Sequence, residues 1–235
     1  MGPSGVEASS KEQDITMASV TAASTAASIA DSLEEQIVLG RVYPRERLLE
    51  DELMARFDAK RHVVRAAFQL LEGRGLVERR PNVGVAVKSF SDAEVEQLYE
   101  LRMLLESNAA QLIQLPVSDE ALRPIVEARD EHRAAVESRD LPAIVQANDR
   151  FHREIFSLTN NPYLTDVIRR HAQMASPIRF LNVSSPEKMQ RSMAEHDLIV
   201  EALRGQDSLE LARLCRDHLL PSRNFYLNQK ASSSA

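Results

Sequence analysis

Six histidines and a knot of arginines are the residues of this 235-residue chain best equipped for chemistry. The histidines are His62, His132, His152, His171, His196 and His218, and three of them stand in informative settings. His152 follows Asn148 by one helical turn, so on a helix the two share a face. His196 lies in Glu195-His196-Asp197, ahead of Leu198 and Ile199, and His218 falls on the next helical segment. Three imidazoles and one oxygen ligand, gathered from facing helices, form a site for a divalent metal, and Zn²⁺, Ni²⁺ or Mn²⁺ would suit it. Spacing alone does not gather them, because histidines this far apart are ordinarily separate surface or core residues.

The arginines suggest a different chemistry. Lys60, Arg61, His62 and Arg65 head a helical segment, and Arg61 and Arg65 share one face. That end of a recognition helix enters the major groove, where arginine bonds guanine O6 and N7 with two donors and lysine meets phosphate. Arg79, Arg80 and Asn82 follow on a short hairpin, within reach of the minor groove or the DNA backbone. Net charge is −6, yet Leu53 to Lys88 holds eight bases against three acids, and residues 91–235 hold seventeen against twenty-two. An acidic body carrying a basic segment is the asymmetry of a DNA reader joined to another domain. The competing reading of these basic residues is a solvated charged helix.

The elements that must position these groups follow from periodicity. Residues 1–28 are small and polar and are expected to form a disordered tail. Residues 29–90 read as helix, helix, turn, helix and hairpin: Ile29, Leu33, Ile37 and Val38, then Leu48 to Phe57, then Val63 to Leu71, then strands at 76–80 and 83–88 around Pro81-Asn82-Val83-Gly84. That order is a winged helix-turn-helix. Ser91 and Glu94 form a capping box that opens residues 91–230. Six helical segments follow, at roughly 92–115, 118–138, 141–159, 162–181, 186–205 and 207–229, with prolines at or between their starts. The expected fold is therefore mainly α, a winged helix-turn-helix followed by an antiparallel six-helix bundle. Within the bundle, Arg102 sits mid-helix among leucines, where it can pair with Glu106 one turn on.

Leu53-Met54-Ala55-Arg56-Phe57, Arg61, Val64-Arg65, Ala67, Leu71-Glu72, Gly75-Leu76-Val77 and Asn82-Val83-Gly84 together resemble the winged-helix signature of the GntR regulators. The recognition turn departs from the family's Ser-Arg-Thr-Pro-Val-Arg, reading Lys60-Arg61-His62-Val63-Val64-Arg65, but keeps both arginines. Residues 91–220 resemble the FCD ligand-sensing domain of the FadR subfamily, through Tyr99-Glu100-Leu101-Arg102, Glu106, Phe151-His152, Asn161-Pro162, Glu195-His196, Gly205-Gln206-Asp207, Ala212 and His218-Leu219. Six helices rather than seven suggest its vanillate-repressor-like branch.

The resemblance implies a metal held by His152, His196 and His218, with a fourth ligand at Asn148 where the family usually has aspartate. It also implies an anion-binding role for Arg102, hence a small carboxylate as effector. Asp149 lies about 100° further round the helix and reads as an exposed or cap-like carboxylate. His132 and His171 read as structural or surface residues, and His62 as DNA-facing or solvent-facing.

Composition narrows the function classes. No apolar run reaches the roughly 18–20 residues of a membrane helix. The start lacks a signal-peptide pattern, and the single cysteine, Cys215, fits a reducing cytoplasm. No nucleophile–base arrangement or Gly-rich phosphate loop points to an enzyme. The expectation is a cytoplasmic homodimer that binds palindromic double-stranded operator DNA, as a repressor, under control of a small organic acid at a metal-containing pocket. The alternatives are a regulator for which the metal is itself the signal and, behind it, a metal-dependent hydrolase.

Overall fold

The computed structural model describes residues 25–81, 83–183 and 185–233, apart from the side chains of 180–183 and 229–233. The chain divides into two compact units. One holds the chain up to Ile37 and Arg41–Ser89, the other Val38–Gly40 and the chain from Phe90.

The first unit contains helix α1 (25–38), strand β1 (Arg47–Leu48), α2 (Glu50–Phe57), α3 (Arg61–Gly73), β2 (Val77–Arg80) and β3 (Gly84–Val87). α1 is already helical at residue 25, ahead of the expected Ile29, because Ala26 joins the same core as Ile29, Ala30, Leu33 and Ile37. The expected tail thus ends in helix at 25–28, and residues 1–24 lie outside the described residues. Leu48 was expected to open the second helix, but with Arg47 it forms a third strand, and the sheet order is β1-β3-β2. Leu48 pairs with Val85, and Val77 pairs with Val87, so one sheet face supplies apolar side chains to the core.

α2 ends at Asp58, whose left-handed backbone (φ 46) turns the chain into α3. Aspartate tolerates that conformation better than most residues. α3 buries Val63, Val64, Ala67, Phe68 and Leu71, and leaves Arg61, His62, Arg65 and Gln69 exposed. Burying five such side chains contributes on the order of 1.5–3 kcal/mol for each large one, and this packing holds the basic face outward. Gly84, at φ 92, opens β3 in a conformation that a side chain would strain.

The second unit is helical: α4 (Asp92–Leu112), α5 (Asp119–Ser138), α6 (Leu141–Ser157), α7 (Pro162–Met174), α8 (Ser176–Val183), α9 (Pro186–Arg204) and α10 (Ser208–Ser233). The capping box forms as expected, with Ser91 accepting from Glu94 N–H and the Glu94 carboxylate accepting from Ser91 N–H at 2.8 Å. The expected segment at 162–181 is two helices meeting at Ala175, so the described residues form seven helices here, and helix count no longer argues for a particular branch.

α4 packs along α10, and α5 along α6, which returns antiparallel after a tight turn at Arg139–Asp140. The main core joins Ile125, Phe151, Ile155, Phe156, Ile199, Leu203 and Leu211. Cys215 lies in it, 4% exposed and unbridged. No helix among the described residues is long and apolar enough to cross a membrane.

Candidate functional site

Two sites emerge, one in each unit. In the first, Lys60 caps the start of α3, Arg61 opens it and Arg65 follows one turn later, all exposed. His62 is exposed between them. Both arginines are met by acids from the first turn of α2. Arg65 donates through Nε to Glu50 at 2.8 Å, and Arg61 donates through Nη2 to Asp51 at 2.6 Å. The Arg65 hydrogen bond holds the Glu50 carboxyl below the usual carboxylate range, against the opposing effect of desolvation. In the hairpin, Arg79 pairs with Glu72 at 3.2 Å, and Arg80 donates to Glu78 at 2.8 Å. Asn82 lies outside the described residues.

The second site is a cavity of about 70 Å³. α6 brings Asn148 and His152, α9 brings His196 and α10 brings His218. Ligating atoms of the three histidines lie within 4.8 Å of one another. Asn148 lines the cavity with His152 and His218. His196 is fully buried, and neither of its ring nitrogens has a hydrogen-bond partner. A buried polar group left unpaired costs about 1–3 kcal/mol, so two such atoms on one ring are anomalous unless a ligand meets them. Burial, reinforced by the nearby His218, pushes His196 and His152 well below the ordinary histidine value. Neutral imidazoles are the form that binds metals.

His218 is oriented from behind. Its Nδ1 lies 2.7 Å from Glu195 Oε2, while Glu195 Oε1 accepts from Arg191 at 2.6 Å. A carboxylate on one ring nitrogen fixes the tautomer and leaves Nε2 as the ligating atom. The donor set and its carboxylate support therefore fit a divalent cation.

Arg102 makes the pairing with Glu106 that the sequence suggested. It bonds Glu106 at 2.9 Å with both side chains buried, and its Nη1 remains unpaired among the residues lining the cavity. Asp149 does not line this cavity: its side chain, 45% exposed, pairs with Arg179 at 2.7 Å.

His132 was expected to be structural or at the surface. It is buried beside the site, its ring centroid 4.7 Å from that of His196, and its Nδ1 is unpartnered. Burial pushes its pKa down to about 4. Arg179, unremarked in the sequence, lines the same cavity with an unpaired Nε. His171 bonds its own helix at Val167 O and stays apart from the cavity.

Residues 97–220 match the FCD domain, and residues 25–87 match the gntR family of bacterial regulatory proteins. This chain is a GntR-family transcriptional regulator with an FCD domain. It is 25% identical over 178 residues to the uncharacterized HTH-type transcriptional regulator YdhC of Bacillus subtilis, covering 75% of this chain and 80% of that one. It is 26% identical over 190 residues to the HTH-type transcriptional repressor RspR of Escherichia coli, covering 80% and 82%. A GntR transcriptional regulator structure from Rhodococcus sp. RHA1 superposes with a TM-score of 0.75 at 23% identity, covering 87% of this chain and 98% of that one. The GntR and FCD resemblances drawn from the sequence both hold, and so does the reading that this regulator is not an enzyme.

Proposed function

We propose that this GntR-family regulator is a cytoplasmic, homodimeric repressor whose operator binding is set by a small organic acid bound beside a divalent metal. Asn148, His152, His196 and His218 would hold the metal. The observation that carries this reading is His196, fully buried within the histidine triad with both nitrogens unpartnered. When bound, the ion would supply a Lewis-acidic position for one carboxylate oxygen. Arg102 would meet another oxygen through its unpaired Nη1, where a planar fork suits a carboxylate. The Arg102 and Arg179 guanidiniums that line the cavity with His152 and His218 suit an anionic ligand.

Lys60, Arg61, His62, Arg65, Arg79, Arg80 and Asn82 would contact DNA. Their support is the exposed basic face of α3 and the adjoining wing. Support for a homodimer is an apolar strip on the second unit. Leu101, Leu104 and Leu112 of α4 and Tyr163 and Val167 of α7, a helix packed on α4, are all exposed. A twofold dimer presents paired recognition helices to half-sites about one DNA turn apart, which matches a palindromic operator.

Titrating metal and then small carboxylates, separately, against affinity for a duplex recovered from a randomised pool tests the reading. The expected result is that metal-loaded protein changes its DNA affinity at least several-fold with one class of acid. If metal alone sets the affinity and no acid shifts it, the metal is the signal and the effector reading fails.

A further inference from the structure

Arg61 and Arg65 are both exposed and both tied to carboxylates of α2, but the two ties differ. Asp51 is 82% exposed in its side chain, and a pair so open to water adds little order. Glu50 is only 26% exposed and stands between the two arginines, with Oε1 2.8 Å from Arg65 Nε and Oε2 3.9 Å from Arg61 Nε. It projects from the first turn of α2, the helix that buries Leu53 in the unit's core. Its anchor is therefore rigid.

Its contact with Arg65 takes only Nε. The two terminal nitrogens, which can fork onto guanine O6 and N7, take no part in that bond. Arginine loses more rotamer freedom on binding than almost any other side chain. A guanidinium already held by its Nε edge loses less. The same carboxylate brings negative charge to a surface that must approach phosphates, which penalises every docking that does not engage the arginines productively.

We propose that Glu50 is a positioning and specificity residue for DNA reading, which aims the terminal nitrogens of Arg65 at a guanine edge and disfavours binding to unrelated sequence. This inference rests on the proposed DNA-reading role of Arg65.

The test is selection from a randomised duplex pool by the full chain as wild type, Arg65→Ala, Glu50→Ala and Glu50→Gln, each first shown by thermal melting to be folded. Wild type should recover a symmetric site containing a guanine that Arg65→Ala no longer selects. Glu50→Ala should lose about tenfold in preference for that same guanine, while its affinity for unrelated duplex rises about two- to threefold. Glu50→Gln keeps an oxygen that accepts from Nε, so it should retain the guanine preference and show only the rise in non-specific binding.

The inference is overturned if Glu50→Ala selects the same guanine as strongly as wild type, or loses a position that Arg65→Ala leaves intact. If Arg65→Ala itself changes nothing, the reading role of Arg65 fails and the positioning role falls with it. A normal Arg65 effect beside a silent Glu50→Ala isolates the failure to Glu50.

Discussion

The two sites of this regulator handle their polar groups in opposite ways. At the reading end, Arg61, Arg65, Arg79 and Arg80 are each matched by a nearby carboxylate. At the second site, His196, His132 and Arg102 are buried and Arg179 is half-buried, each with at least one shielded polar atom unmatched. The first-unit surface is open to water, so pairs as exposed as Arg61–Asp51 contribute little and exchange cheaply for phosphate and base contacts. The unmatched atoms of the second site are themselves shielded from water, and there an unmatched donor costs its desolvation penalty. The first arrangement is self-sufficient without a ligand. The second would be stabilised by a group that met those atoms, which is how binding energy becomes conformational bias.

The contrast is broken most directly at His196. Replacing it with alanine should abolish stoichiometric metal, measured by elemental analysis of the purified protein, while the first unit still folds by circular dichroism. Retained full occupancy would remove His196 from the ligand set.

Glu195→Gln probes the support behind His218. An amide still bonds the imidazole but carries no charge, so metal affinity by calorimetry should fall by about 10–100-fold. No change would mean that the carboxylate only holds Arg191.

The smallest effect is expected on the exposed side of the comparison. Lys60→Ala should weaken binding almost equally to selected and unrelated duplexes and lower the salt-dependence slope by about one. A loss confined to the selected sequence would make Lys60 a base-reading residue instead.

The wing and the three-helix core of the first unit were readable because both depend on local pattern. Val63, Val64, Ala67, Phe68 and Leu71 repeat at helical spacing, and Gly84 marks the turn. β1 escaped because two residues carry no periodicity, and because Leu48 and Leu49 extend the apolar pattern of α2. The break at Ala175 did carry a local signal, because Pro177 in the first turn of α8 has no N–H to continue the α7 ladder, but the apolar periodicity running through 162–181 masked it.

The same division runs through the sites. Arg61 and Arg65 were visible as a helical pair, but Glu50 lies a whole helix earlier in the chain and meets Arg65 only through the fold. The triad was nameable by family resemblance and not by spacing, since its members come from α6, α9 and α10. His132 comes from α5, carries no such resemblance, and declares itself only by standing against His196.

Cys215 gives the second unit a built-in chemical reporter. It is the only thiol in the chain, it sits in the core with Ile199, Val200 and Leu211, and burial raises its pKa so that little reactive thiolate forms. A thiol reagent can reach it only when that core opens, so its labelling rate counts openings of the sensor unit without any engineered probe. Metal and acid, added separately and together, can each be scored by how far they slow that clock.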